Sequence, residues 1–233
     1  MQWSMRDLGE MFKVSESKVT RWIRHQGLPA QRVAGQYHFN RVEVLDWAVA
    51  HQVRMEASPV DQLVDGVPSI SLADALEAGG IHYKISGDER QAALRALVSR
   101  LPLPKDFDGE LLMGLLLARE AHGFKAVGDG IAIPHVRYPI VLNVARALLT
   151  LCFLHKPIAY QAPDGKPVRI LFTVISPTVA THVQLLAQLS RALHKPSFRK
   201  CVVERGPREI ILQEVRRLEK AEQPVLGSSP RAA

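Results

Sequence analysis

Nine histidines are spread over this 233-residue chain, and one is set apart by what precedes it. His135 closes the run Gly128-Asp129-Gly130-Ile131-Ala132-Ile133-Pro134-His135. Two glycines admit backbone turns closed to other residues. The apolar triplet predicts a short buried strand, and Pro134, which has no N–H, ends its ladder. That pattern delivers an imidazole to the mouth of a sheet on a stiff mount. A neutral ring nitrogen is a nucleophile near pH 7. His25, His38, His51, His82, His122, His155 and His194 show neither HxxxH nor HExxH spacing, so no metal site is expected. Cys152 lies in an apolar strand and reads as packing; Cys201 has no evident base beside it. Two cysteines are too few for a disulfide scaffold and fit a reducing cytoplasm.

A second group could do chemistry by charge. Lys13, Lys18, Arg21 and Arg24 fall within Lys13–His25 against Glu16 alone. The chain carries a formal +7 and has a pI near 9.6. Residues 1–54 hold eight basic and five acidic residues, net +3. A basic balance favours a polyanionic partner without proving one.

The elements that must hold these residues are legible in part. Ser4 and Asp7 predict a capping box ahead of Met5–Phe12. Ser15 opens a second helix with Val19, Trp22 and Ile23 on one face, and Lys18, Arg21, Arg24 and His25 mostly elsewhere on the wheel. Gly27 ends it, with Pro29 just beyond. Gln31–Phe39 reads as a hairpin with Gly35 in its turn. Asn40 and Glu43 cap a last helix through Val44, Leu45 and Trp47. Together these describe a winged helix-turn-helix over residues 1–54. Residues 55–67, Met55–Val67, are polar with Pro and Gly and read as a linker. Beyond Pro68 the sequence predicts a helix capped by Asp88 and running through Leu101, and another from Asp108 to about His122. Strands are expected at Ile131–Ile133, Arg146–Leu154 and Val168–Ile175, the last after the turn Asp164-Gly165. Helices follow at His182–Leu193 and Pro207–Leu218. Alternation of this kind implies an α/β domain over 68–219, a mixed sheet flanked by helices, with a disordered tail over 220–233. The longest apolar runs fall well short of the ~20 residues that a membrane span needs. The N-terminus has no apolar signal region, so a cytoplasmic protein without membrane insertion is expected.

The first 50 residues resemble the excisionase/MerR-type winged helix. The resemblance rests on Val14-Ser15-Glu16-Ser17-Lys18-Val19-Thr20-Arg21-Trp22-Ile23-Arg24, then Gly27-Leu28-Pro29-Ala30, then Gly35-Gln36-Tyr37-His38-Phe39. It implies double-stranded DNA as a partner. Ser17, Lys18 and Arg21 would meet base edges or phosphates, and Arg24, Arg32 and His38 would sit on the backbone. One such module contacts little DNA, so a homodimer reading paired half-sites is expected. The competing reading is a protein-interaction module with solvated basic residues. Trp22 shares a face with Val19 and Ile23 and reads as core.

Residues Pro68–Leu218 resemble the enzyme IIA domains of the fructose/mannitol type of the phosphotransferase system, which include the nitrogen-regulatory (PtsN-like) IIA proteins. The Gly130-Ile131-Ala132-Ile133-Pro134-His135 block matches the phosphohistidine motif of the family. Leu117-Ala118-Arg119-Glu120 matches its arginine-glutamate segment, sixteen residues ahead of the histidine, and Thr181-His182-Val183-Gln184-Leu185-Leu186-Ala187 matches the helix with a second active-site histidine. The resemblance implies that His135 accepts a phosphoryl group from an HPr/NPr-like phosphocarrier, with His182 and Arg119 as active-site partners and no cofactor. Arg119 would hold equatorial oxygens and His182 would donate a hydrogen bond. The chain departs from the family at Val136-Arg137-Tyr138-Pro139, where many members have a small residue, and at Phe124-Lys125-Ala126, where many have Ser/Thr. Arg137 is there either an extra phosphate ligand or a docking residue.

The combination predicts a phosphorelay-responsive DNA-binding regulator: a phosphocarrier-type domain with a phosphohistidine intermediate, not a turnover enzyme on its own. The alternatives are a sugar-transport IIA component that passes phosphate to a IIB protein, and a nitrogen-regulatory IIA that binds proteins and uses no DNA.

Overall fold

A computed structural model describes residues 2–55, 70–104, 107–121, 126–136, 144–160 and 162–222. The chain opens with β1 (Gln2–Trp3) and α1 (Met5–Phe12). The capping box is formed: the Asp7 N–H donates to Ser4 Oγ at 3.3 Å and the Ser4 N–H to Asp7 Oδ2 at 2.7 Å. After α2 (Glu16–His25), Gly27 takes φ 66° as the chain turns out of the helix. Strands β2 (Gln31–Val33) and β3 (Gln36–Asn40) follow, joined through Ala34 and Gly35 at φ 49° and 85°. Two successive positive φ values match the twist of a two-residue hairpin, and only one of them falls on a glycine. The sheet order is β1-β3-β2, all antiparallel. Strand β1 was not expected, because two residues carry no alternation. It anchors Trp3, fully buried, opposite Phe39. Trp22 is core, as its helix face indicated. It packs edge-on to Phe12 with centroids 5.4 Å apart and lies 5.1 Å from Trp47.

Asn40 caps α3 (Arg41–Ala50), its side chain accepting from the N–H groups of Val42 and Glu43. Seven of its ten residues are buried, Asp46 among them. A helix apolar around most of its circumference must be covered on more than one side. Its own module covers one side, and the second domain covers the other.

That domain is built from α4 (Leu72–Gly79), β4 (Ile81–Ile85), α5 (Arg90–Val98), α6 (Gly109–Ala121), β5 (Ala126–Gly128), β6 (Ile131–Ala132), β7 (Leu148–Ile158), β8 (Val168–Ile175), α7 (Val179–His194), α8 (Pro196–Val203) and α9 (Arg208–Glu222). The sheet order is β4-β7-β8-β6-β5. Pairs β4–β7 and β6–β8 are parallel; β7–β8 and β5–β6 are antiparallel. Both faces of the sheet are covered, which explains why residues 148–154 of β7 and 170–175 of β8 read as near-continuous apolar runs, with only Thr150 and Thr173 among them. Leu149, Leu151 and Phe153 join one apolar cluster with α7, α8 and the N-terminal module; Leu148, Cys152 and Leu154 join another with α5 and α6. Burial pushes the Cys152 thiol up to about 12, in keeping with a packing role.

Several boundaries differ from expectation. The cap of α5 is Glu89, while Asp88 reaches Lys156 at 3.3 Å, and the helix stops at Val98 rather than Leu101. Strand β7 extends four residues past Leu154 through a register shift, where His155 and Lys156 turn to solvent ahead of Pro157. Met55, the first residue of the expected linker, is buried, and residues 56–69 lie outside those described. Helix α9 continues through Glu222, whose carboxylate meets Arg191 at 3.2 Å, so residues 220–222 are not a disordered tail. Residues 223–233 lie outside those described.

Gly79 marks the tightest approach of helix to sheet. A Cβ there would strike the carbonyl of Leu149, and the Gly79 carbonyl already accepts from Thr150 Oγ1 at 2.9 Å. A clash with backbone cannot be relieved by a rotamer change. Gly79→Ala is expected to destabilise the fold by about 2–3 kcal/mol, read as a lowered urea midpoint.

Candidate functional site

The mount of His135 is assembled from the β5–β6 turn. Gly128, Asp129 and Gly130 take φ 82°, 51° and 71°. Asp129, the non-glycine in this left-handed run, is braced on three sides. Its N–H donates to Asp164 Oδ2 at 2.8 Å, and its carboxylate meets Lys166 at 3.0 Å and Arg199 at 2.9 Å. Those two cations hold its carboxyl below the usual carboxylate range. The Gly130 carbonyl accepts from the N–H groups of Arg169 and Ile170, which ties the turn to β8. Strand β6 then pairs in parallel with β8 and leaves the ladder before Pro134.

His135 follows, and its ring is fixed. Nδ1 donates to the carbonyl of Ile133 at 2.7 Å, which assigns the proton on that nitrogen. His182 comes from the neighbouring parallel strand. Strand β8 ends at Ile175, Thr178 caps α7 by accepting from the Thr181 N–H, and His182 lies in the first turn of that helix. The two ring centroids are 5.2 Å apart. Ser176 Oγ lies 3.2 Å from His182 Nδ1. Both histidines therefore follow the carboxyl ends of adjacent parallel strands, where open α/β sheets place their sites. The helix N-terminus adds positive potential there.

The structure departs from expectation in what lies over this pair. An imidazole at the open mouth of a sheet should be accessible, yet His135 and His182 are almost fully buried. The cover is α3 of the N-terminal module. Asp46 Oδ1 lies 2.6 Å from His135 Nε2, and both residues are buried. Just past α3, Gln52 donates from its side-chain Nε2 to the carbonyl of Val127 at 2.7 Å, and the Gln52 backbone carbonyl accepts from His194 Nε2 at 3.0 Å. A Cβ at Gly128 would overlap the Gln52 side chain, so the glycine turn serves the interdomain contact as well as the mount.

Arg119 falls in the last turn of α6, but its side chain lies outside the described residues, as does Arg137. On α2, Ser17, Lys18, Arg21 and Arg24 are all exposed and form one stripe: Ser17, Arg21 and Arg24 lie on the face away from buried Val19 and Trp22, and Lys18 borders Trp22 from the preceding turn. Arg32 and His38 do not share a face of the ribbon. Arg32 is paired with Tyr37 in the register, so His38, the next residue, points the other way and is half-buried. Among the described residues no cluster of three or more His, Cys, Asp or Glu is placed to hold a metal ion, and no helix is long and apolar enough to cross a membrane.

Asp46, Gln52 and Ser176 were not singled out by sequence. Asp46 had a signal: it is the one charged residue within Val44–Val49, an otherwise apolar stretch of helix. An acid there needs a buried partner. Gln52 and Ser176 carry no local signal.

Residues 76–216 match the model of the phosphoenolpyruvate-dependent sugar phosphotransferase system, EIIA 2. The chain belongs to this EIIA 2 family. Residues 4–50 match a helix-turn-helix domain, so the EIIA domain is fused to one. The chain is 32% identical over 134 residues to a nitrogen regulatory protein of Pseudomonas aeruginosa, covering 56% of this chain and 84% of that one. It is 29% identical over 131 residues to a nitrogen regulatory protein of Bradyrhizobium diazoefficiens, covering 55% and 84%. The fold is that of the nitrogen regulatory protein IIA-Ntr structure from Neisseria meningitidis, with a TM-score of 0.54 and 24% identity over 62% of this chain and 98% of that one. The mixed α/β sheet flanked by helices is thus shared with EIIA structures, and the helix-turn-helix is an addition to it.

Proposed function

We propose that the chain is a phosphorelay-responsive DNA-binding regulator, and that its EIIA domain takes a phosphoryl group onto His135 Nε2 from a phosphohistidine of an HPr/NPr-like carrier. The observation that carries this reading is the convergence of His135 and His182, with His135 Nδ1 committed to the Ile133 carbonyl. That bond makes Nε2 the attacking nitrogen. Its lone pair forms the new P–N bond, the donor's P–N bond breaks, and the electron pair returns to the donor ring. Each ring keeps the proton on its other nitrogen, so no net proton moves. Ser176 Oγ lies 3.2 Å from His182 Nδ1; we assign the hydroxyl as donor, which leaves the His182 proton on Nε2 to donate to a phosphoryl oxygen. Arg119 is assigned the equatorial oxygens, in keeping with the guanidinium fork. The exposed stripe Ser17, Lys18, Arg21 and Arg24 meets DNA, with Arg32 on the exposed face of the wing beside it; His38, on the other face of the ribbon, is not part of that surface. Two copies reading paired half-sites in the cytoplasm complete the reading.

The experiment is transfer from a phosphorylated HPr-like carrier, with the acid-labile adduct mapped by mass spectrometry. One adduct, at His135 and absent from His135→Ala, supports the reading. An adduct on another histidine, or none, overturns it. One observation favours a second reading: the helix-turn-helix packs through α3 onto the EIIA site, as a protein-interaction module would. Wild-type protein that accepts phosphate yet shows no salt-dependent binding to duplex DNA would decide for that reading.

A further inference from the structure

We propose that Asp46 makes the N-terminal module a plug for the acceptor nitrogen, so that docking of α3 and phosphorylation of His135 exclude one another. The inference rests on the assignment of His135 as acceptor and adds how access to it is governed. Three observations converge. The first is space. A phosphorus bonded to Nε2 would lie within the 2.6 Å that now separates the nitrogen from Asp46 Oδ1, and its oxygens would need the place of the carboxylate. The second is the proton count. Nδ1 donates to a carbonyl, and Nε2 faces a carboxyl oxygen. Either Nε2 carries a proton given to the carboxylate, or its lone pair accepts one from a carboxylic acid. In both cases the attacking pair is engaged. The third is charge. A phosphoryl group adds about −1.5 to −2 charges beside an acid that is buried along with His135.

The plug is a built contact and not an incidental one. Gln52 clamps the same helix end to Val127 and His194, and Trp47, Ala48 and Val49 belong to an apolar cluster that reaches Leu186 and Leu189 of α7. A carrier protein must reach Nε2 over this same face, so the module is an intramolecular competitor for the carrier. The basic stripe of α2 stays exposed while α3 is docked. Phosphorylation therefore does not uncover that stripe; it releases the module from rigid attachment to the EIIA domain. Coupling is reciprocal, so any ligand that favours the undocked module must raise phosphoryl uptake by the same factor in equilibrium terms.

The test separates access from phosphoryl chemistry. Full-length wild type, Asp46→Ala and Gln52→Ala are treated with diethyl pyrocarbonate, and modification of each histidine is followed by mass spectrometry, with exposed His25 as the internal reference. The same proteins are treated with phosphoramidate, which loses ammonia as the phosphoryl group is taken. The proposal expects His135 to be protected in wild type and to react at least tenfold faster in Asp46→Ala, with Gln52→Ala also faster and His25 unchanged. Equal His135 reactivity in wild type and Asp46→Ala overturns it. If Asp46→Ala gains reactivity to diethyl pyrocarbonate but no variant takes a phosphoryl group, the plug stands and the acceptor assignment falls. In a phosphorylated sample, hydrogen exchange at α3 amides must speed up; protection equal to that of the unmodified chain overturns the mutual exclusion.

Discussion

Replacing His182 with alanine is expected to slow phosphoryl uptake at His135 by about 10²- to 10³-fold, the loss seen when one preorganised donor to a developing anion is removed. His182 lies within one ring's reach of His135, and Ser176 orients it through the opposite nitrogen. Charge develops on the phosphoryl oxygens, and a donor already in place needs no reorganisation. His182 is fully buried, so alanine also leaves a cavity. His182→Gln separates the two effects, because it fills most of the space and retains an N–H donor. The expected order of rates from phosphoramidate is wild type, then Gln, then Ala, with the Gln variant unfolding near the wild-type urea midpoint. Rates for Ala within twofold of wild type would remove His182 from the chemistry and leave it a packing residue. The Asp46→Ala background sharpens the measurement, because the chemical step is then read without the opening step in front of it.

The local rules of the sequence reached the elements that carry their own signals. Ser4 with Asp7, Asn40, Asp108 and the glycine turns around Asp129 all act where their side-chain chemistry says they should. Strand β8 spans Val168–Ile175, as its apolar run indicated. What escaped were elements defined by partners rather than by pattern. Strand β1 exists because Gln2 and Trp3 complete the β3 ladder. Helix α4 and strand β4 pack tightly on β7, and their short, mixed sequences show little periodicity. Asp88 does not cap α5: the N-cap position falls one residue later, on Glu89, whose side chain makes no cap bond, and Asp88 reaches Lys156, far along the chain, instead.

The site divides in the same way. The stiffness of the His135 mount was readable, since two glycines, an apolar strand and a proline are all local. Its closure was not, because the group on Nε2 comes from 89 residues away in the other domain. An acid amid Val44-Leu45-Asp46-Trp47-Ala48-Val49 raises the question of a buried partner, since charges leave water only when paired. The sequence poses that question; only the packing of α3 between two domains answers it.

The proposed DNA-facing stripe of α2 yields the other large effect. Lys18→Ala combined with Arg21→Ala is expected to weaken binding to random duplex at low salt by about 10- to 100-fold, and to make the log–log salt slope shallower by about 1.8, since each phosphate contact contributes about 0.9. Lys18 has an added reason to matter. Its ammonium sits 5.6 Å from the Trp22 ring centroid, a contact that biases the stem toward the helix surface and so spends part of its rotamer freedom before binding. Arg6 is the internal control. It is equally basic and exposed, but it is engaged with Glu10 at 2.9 Å on α1, away from the stripe. Arg6→Ala should leave both affinity and slope near wild type. If Arg6→Ala weakened binding as much as the double variant, attraction would follow net charge alone. The α2 stripe would then lose its claim as the DNA-facing surface. Arg21→Lys divides the contact further. It keeps the charge and gives up the planar fork, so it preserves the salt slope if Arg21 sits on phosphate and loses discrimination between sequences if Arg21 reads a base edge.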